Sequence, residues 1–96
     1  MAANTNIFNQ ISIRIIQEQA LIIGPVAWEE ARKVSGLKVN TGKTEVSFSG
    51  DATETLNKLV AQYTRLFGRA SAEVCKDAVQ DLIVELPKDQ VPSSLK

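Results

Sequence analysis

The chain has 96 residues, enough for one domain spanning 1–96, because two domains of half that length would each bury too little surface to be stable. Its apolar and charged fractions, 44% and 23%, are typical of a globular protein and exclude a disordered chain. Eleven basic and eleven acidic residues give a formal charge of zero, which argues against nucleic acid as the main partner.

The sequence contains no histidine and a single cysteine, Cys75. Histidine-dependent nucleophilic catalysis is therefore excluded, and one chain lacks the usual ligands of a structural zinc site. The N-terminus lacks the features of a signal peptide, and no apolar stretch approaches the ~20 residues of a membrane span. We therefore expect a cytoplasmic protein with no catalytic residues, no metal or cofactor, and no membrane partner.

Residues 5–23 predict a first helix, because apolar residues recur at a spacing of three to four. The isoleucines within residues 11–16 also alternate with polar residues, which is typical of a strand, but the length of the segment favours the helix. We expect this helix to stop at Gly24. Residues 25–35 then predict a short second helix that ends at Gly36.

Residues 37–50 break the helical pattern and predict a short β-hairpin or an extended crossover. Val46 and Phe48 recur there at strand spacing. The TGKT segment at 41–44 is interpreted as a turn. A phosphate-binding loop requires four residues between its first glycine and Gly-Lys, whereas the spacing from Gly36 leaves five, and the flanking elements are in the wrong order.

The third helix is predicted to begin at Asp51, an acidic N-cap, and to end at Gly68. Ser71 offers a cap for a fourth helix, which Pro87 terminates, and the polar tail 88–96 is expected to fray. Each helix carries one apolar stripe. In the third it comprises Leu56, Leu59, Val60, Tyr63, Leu66 and Phe67, and in the fourth Val74, Cys75, Ala78, Val79, Leu82, Ile83 and Leu86.

Two segments of the chain have similar sequences, one in each half. Residues 15–34 and 59–78 align at an offset of 44, with Gly24 opposite Gly68, and each unit reads as a helix, a glycine and a second helix. The predicted fold is therefore mainly α, with four helices arranged as two helix–glycine–helix units joined by the hairpin or crossover. The few identities suggest a duplication without demonstrating one.

The stretch LIIGPVAWEEARKV, residues 21–34, resembles a short helical module at the ends of prokaryotic signalling proteins. Some Ser/Thr kinases and nucleotide cyclases carry such a segment, of the type Y-I-G-P-I-A followed by an amphipathic helix. The matching positions are Ile23, Gly24, Pro25 and Ala27. The whole chain is also similar to small uncharacterised cyanobacterial proteins. The resemblance implies an accessory or regulatory interaction module and no catalytic residue.

We therefore expect a small protein–protein interaction or regulatory module, associated with signalling, that forms a homodimer and also binds an unknown protein partner. Five apolar side chains are difficult to place together in one small core: Ile13, Leu21, Trp28, Val46 and Phe48. Trp28, Val46 and Phe48 are the candidate interface residues, and Cys75 is expected to be a small core hydrophobe. The alternatives are a nucleic-acid-associated regulator, which would gather its basic residues (Arg32, Lys33, Arg65 and Arg69) on one face, and a small enzyme.

Overall fold

The computed structural model describes residues 2–40 and 45–95. Within them the chain forms helices α1 (Ala2–Ile23), α2 (Val26–Arg32), α3 (Ala52–Phe67) and α4 (Arg69–Ile83), with strands β1 (Leu37–Asn40) and β2 (Glu45–Phe48) between α2 and α3. The predicted mainly helical fold is confirmed, and the segment after α2 is a hairpin rather than a crossover. The predicted turn at TGKT, 41–44, lies outside the described residues.

Helix α1 continues without interruption through residues 11–16, so the helical prediction is confirmed and the strand alternative is wrong. The alternating isoleucines do not share one environment, because Ile13 is only partly buried. The fully enclosed face instead follows the helical spacing and comprises Phe8, Ile11, Ile15 and Ile16.

Helix α1 packs chiefly against α4, and the two run antiparallel. Arg14 Nη1 donates to the carbonyl oxygen of Ala78 at 3.1 Å. Further along α1, Gln19 Nε2 donates to the carbonyl oxygen of Ser71 at 3.0 Å. Since the contacts move backwards along α4 as α1 advances, the end of α1 and the start of α4 lie at the same end of the molecule.

Helices α2 and α3 are joined by two buried or partly buried hydrogen bonds. The Tyr63 hydroxyl donates to the carbonyl oxygen of Ala27 at 2.6 Å, and Gln62 Nε2 donates to Glu30 Oε1 at 2.7 Å. The first of these bonds links the last turns of α3 to the beginning of α2. The turn between α1 and α2 and the turn between α3 and α4 therefore lie at one end of the bundle.

The hairpin covers the N-terminal half of α1. Its antiparallel register pairs Leu37 with Phe48, and Leu37 and Val46 both point into the core. The Phe48 ring packs edge-on against Phe8 of α1, with ring centroids 6.4 Å apart and an interplanar angle of 75°. The hairpin therefore completes the core at the end of the molecule opposite the two glycine turns.

The tail at 88–96, which the sequence predicts to fray, packs onto the helices in the part of it that the structure describes. Two 3-10 turns follow α4, and both Pro92 and Leu95 are buried. The Ser94 amide and hydroxyl both donate to Asn57 Oδ1, at 3.0 and 2.7 Å. The tail is ordered because its apolar residues cover α3 and α4, a long-range contact that its polar composition does not reveal.

The helix ends follow the sequence signals at one position and not at another. Asp51 caps α3 as predicted, its Oδ1 accepting from the amides of Thr53 and Glu54 at 2.9 and 3.4 Å. Ser71 does not cap α4, because that helix begins earlier, at Arg69, without a side-chain cap. Ser71 is instead buried within the first turn, where its carbonyl oxygen accepts the hydrogen bond from α1.

Candidate functional site

The two glycine turns have the same hydrogen-bond pattern. Gly24 and Gly68 have positive φ angles of 81° and 93°, a region that glycine enters without steric cost. Their amides donate to Ala20 and Thr64 respectively, at 2.9 and 2.8 Å, and in both turns the amide three residues later donates back to the glycine carbonyl at 3.1 Å. Equivalent positions of the two turns are 44 residues apart, the same offset at which residues 15–34 and 59–78 align. The helices that follow differ in length, 7 residues in α2 and 15 in α4.

Exposed apolar side chains gather at the end of the molecule that carries these turns. The last turns of α1 and α3 expose four large apolar residues, with exposed fractions of 79% for Leu21, 64% for Ile22, 45% for Leu66 and 40% for Phe67. We refer to these four residues as the apolar end patch. One other large apolar residue of the described chain is comparably exposed: Val84, at 78%, near the opposite end of α4.

Leu66 and Phe67 belong to the apolar stripe that the sequence predicts for the third helix, and the structure leaves both exposed. Ile22, near the end of α1, is exposed as well. Periodicity identified the correct face of each helix but not the point where the neighbouring helices stop covering it. Both stripes continue to the last residues before a glycine turn, and the chain beyond each turn leads into another helix without covering them. The sequence signal that marks the patch is thus an apolar stripe that runs up to a helix-ending glycine.

The apolar end patch has charged residues of both signs beside it. Three acidic and two basic residues lie within five positions of the patch or of the two glycine turns: Glu18, Glu29, Arg65, Arg69 and Glu73. Neither of the two ion pairs found among the described residues involves any of these five. The patch therefore has a rim with charges of both signs that form no ion pair within the described part of the chain.

A polar network lies on the α2–α3 face. Glu30 accepts hydrogen bonds from Lys33 Nζ at 3.0 Å and from Gln62 Nε2 at 2.7 Å, and Arg65 Nη2 donates to Gln62 Oε1 at 2.8 Å. The bonds from Lys33 and Gln62 lower the pKa of Glu30 below its usual value. Sequence reasoning missed this network because Gln62 is 32 residues away from Glu30. It brings two basic residues together, but one of them is paired with a carboxylate.

The contact between α1 and α4 encloses a protonated thiol and buried polar side chains. Cys75 is fully buried, as predicted, and burial raises the pKa of its thiol to about 11, which keeps it protonated at neutral pH. Gln19 Nε2 lies 3.4 Å from the sulfur. Ser12 Oγ and Gln19 Oε1 are buried without a hydrogen-bond partner among the described residues. Sequence reasoning had not placed either polar residue inside the core.

The candidate interface residues do not lie on the exposed apolar surface. Val46 is buried, and Trp28 and Phe48 are partly buried against the core. Ile13 also packs against the core, so four of the five side chains that the sequence left without a place are covered within one chain. Leu21 is the fifth, and it is strongly exposed. The exposed apolar surface is thus at the glycine turns and not on the hairpin.

The described surface offers little that suggests catalysis. An open cleft of about 500 Å³ runs between α1 and the hairpin, and its lining includes Asn9, Lys38 and Glu45. Within residues 2–40 and 45–95, no group of three or more histidine, cysteine or acidic residues is arranged to hold a metal ion. The charged side chains that line the cleft in the described part of the chain are Lys38 and Glu45.

Comparisons with known proteins add no relative. A scan of protein-family models, a search of curated proteins and a search of solved structures each found no match to this chain. In the part of the chain that the structure describes, none of the helices combines the length and hydropathy needed to cross a membrane.

Proposed function

We propose that this chain is a small cytoplasmic protein–protein interaction module with a regulatory role in signalling, and that it binds its partner through the apolar end patch. The observation that carries the proposal is the gathering of four large exposed apolar side chains at one end of the molecule. Their exposed fractions amount to about two whole side chains, so covering them is worth about 3–6 kcal/mol per molecule before the costs of association. Exposed apolar surface of this kind is typical of interaction sites.

The resemblance of residues 21–34 to a terminal module of prokaryotic kinases and cyclases supports the signalling part of the proposal. Leu21 and Ile22 belong to that segment and directly precede its matching Ile23, Gly24 and Pro25. A partner bound at the patch would therefore contact the same segment that carries the resemblance. The proposal gives the protein no catalytic residue, cofactor, metal or membrane partner.

Affinity capture with matched variants tests this proposal. The bait is immobilised through a tag and exposed to extract from the source cells, using wild type, the double variant Leu21→Lys/Phe67→Lys and the control Val84→Lys. We expect at least one protein, either another copy of the chain or a different protein, to be retained by wild type and by Val84→Lys but lost with the double variant. The control replaces an equally exposed apolar residue that lies outside the patch. Identical capture by all three baits would contradict the proposal.

The alternative function, a nucleic-acid-associated regulator, draws on the α2–α3 face, where Lys33 and Arg65 meet at the Glu30 network. Because Glu30 is paired with Lys33 and the whole chain has no net charge, we expect no useful affinity for DNA at physiological salt. Fluorescence anisotropy with a labelled duplex measures this directly. Sub-micromolar binding that weakens steeply with added salt would favour the alternative.

A further inference from the structure

We infer that the partner at the apolar end patch is a second copy of this chain, and that two copies meet end to end as a two-fold symmetric dimer. This inference rests on the proposed function, since it names the partner that covers the same patch. Two properties of the surface support a second copy: the amount of apolar area and the presence of both acidic and basic residues around it.

The apolar area is close to what a modest dimer requires. The patch exposes on the order of 300 Å² of apolar surface on each molecule, using typical areas for large side chains. A standard interface buries about 800 Å² on each partner, of which somewhat more than half is apolar. Pro25 and Ala70 are also exposed beside the two glycine turns and extend the apolar surface. An end-to-end contact thus lies at the lower limit of stable interfaces, which predicts dissociation in the micromolar range.

The charged residues around the patch are compatible with a second copy of the same surface. A two-fold axis through an interface places the same surface on both sides, so each charged residue faces a copy of its own surroundings. A rim of one sign would then repel its own copy, whereas this rim has both signs: the acids Glu18, Glu29 and Glu73, and the bases Arg65 and Arg69. An acid of one molecule can therefore approach a base of the other. A strongly acidic or strongly basic partner would instead meet rim charges of its own sign.

The position of the patch also permits the contact. Helix α1 has 22 residues, so it extends for about 33 Å, close to the 32 Å long dimension of the molecule. The patch lies at the C-terminal end of this helix, and the described chain starts at Ala2 at the other end. The tail is anchored at Asn57 of α3, and its Leu95 lines the same surface groove as Glu73 of α4. A tag at the N-terminus therefore leaves the end-to-end contact open.

Sedimentation equilibrium of the purified protein, over about 1 to 500 µM, tests the inference. Wild type should change from the 10.5 kDa monomer to a species of twice that mass as its concentration rises. Leu21→Lys and Leu21→Glu should each weaken association at least about tenfold, because each places like charges on facing patches. An equimolar mixture of the two variants should associate again, because the patches then carry opposite charges. Val84→Lys should associate like wild type.

The outcomes separate this inference from the proposed function. A purified wild type that stays at 10.5 kDa across the whole range overturns the dimer. The proposed interaction function still holds in that case if wild type captures a different protein that the double variant Leu21→Lys/Phe67→Lys does not retain. A wild-type dimer that Leu21→Lys leaves intact also overturns the inference, because the contact would then lie elsewhere. Circular dichroism spectra that match wild type verify that each variant is folded, as expected for substitutions at strongly exposed positions.

Discussion

Replacing Gly68 with alanine tests whether the α3–α4 turn depends on the conformation of one residue. Gly68 adopts φ 93° and ψ 178°, a region that is populated almost only by glycine. A Cβ built on this residue meets no atom within 4 Å. The effect of Gly68→Ala is therefore backbone strain alone, without a clash. The matched control is Gly50→Ala, because a Cβ there also meets no atom within 4 Å and the φ of Gly50 lies outside the left-handed range.

The expected change in the free energy of unfolding of Gly68→Ala is the sum of two opposing effects. Holding alanine in this region costs about 1–3 kcal/mol, while alanine also reduces the entropy of the unfolded chain, which returns about 0.4–1 kcal/mol. We therefore expect Gly68→Ala to lower the free energy of unfolding by about 1–2 kcal/mol. In a domain of this size that corresponds to a Tm lower by roughly 5–15 °C. Only the second term applies to Gly50→Ala, which should match wild type or exceed it by up to about 1 kcal/mol.

Urea denaturation followed by circular dichroism and by the fluorescence of Trp28, the single tryptophan, measures both variants against wild type. The two probes should give coincident transitions if the domain unfolds as one unit. The reasoning is refuted if Gly68→Ala is as stable as Gly50→Ala. It is also refuted if Gly68→Ala loses far more than about 2 kcal/mol of unfolding free energy. Such a loss would require a packing clash, and a Cβ at Gly68 meets no atom within 4 Å.

Three further predictions concern the core. Ser12→Ala should raise the free energy of unfolding by about 1 kcal/mol in urea titrations, because it removes a buried hydroxyl without a partner among the described residues, and a destabilised variant would contradict this. Tyr63→Phe should lower it by about 1 kcal/mol through loss of the bond to Ala27, and an unchanged midpoint would show that the bond contributes nothing. Burial raises the pKa of Cys75 from 9.0 to about 11. The protonated thiol therefore stabilises the folded state in full below the pKa of the unfolded chain, and this contribution is lost as the pH rises towards the pKa of the folded chain. Between about pH 8 and about pH 10 wild type should therefore lose about 1 kcal/mol more than Cys75→Ala, and equal losses would mean that the thiol does not titrate during unfolding.

The fold was largely predictable because its local signals agree with its packing. The glycines at 24 and 68, the acidic cap at Asp51 and the helical spacing of the apolar residues each act within a few residues, and the structure follows them. The choice between helix and strand at 11–16 was resolved by length, since a short alternating run inside a longer helical pattern does not outweigh the helix.

The surface was less predictable because exposure depends on which neighbours cover a side chain. Nothing local distinguishes Ile15, which is buried, from Ile22, which lies about two helical turns further along the same face and is exposed. Val46 was considered a candidate for an interface because a small core has no evident space for it, yet the hairpin folds over α1 and covers it. The ordered tail depends on a bond to Asn57, 37 residues earlier in the chain, which no local pattern reports.

The pairing of α1 with α4 has a consequence for how the chain acquires its structure. The hydrogen bonds from Arg14 to Ala78 and from Gln19 to Ser71 join residues that are 64 and 52 positions apart. During synthesis the first helix therefore leaves the ribosome well before the helix that covers it. Contacts of this separation are formed only after a large loop has closed, which slows folding relative to a bundle of sequential neighbours. Until α4 has been made, the part of α1 that packs against α4 has no covering element, although the hairpin can already cover the N-terminal half of α1.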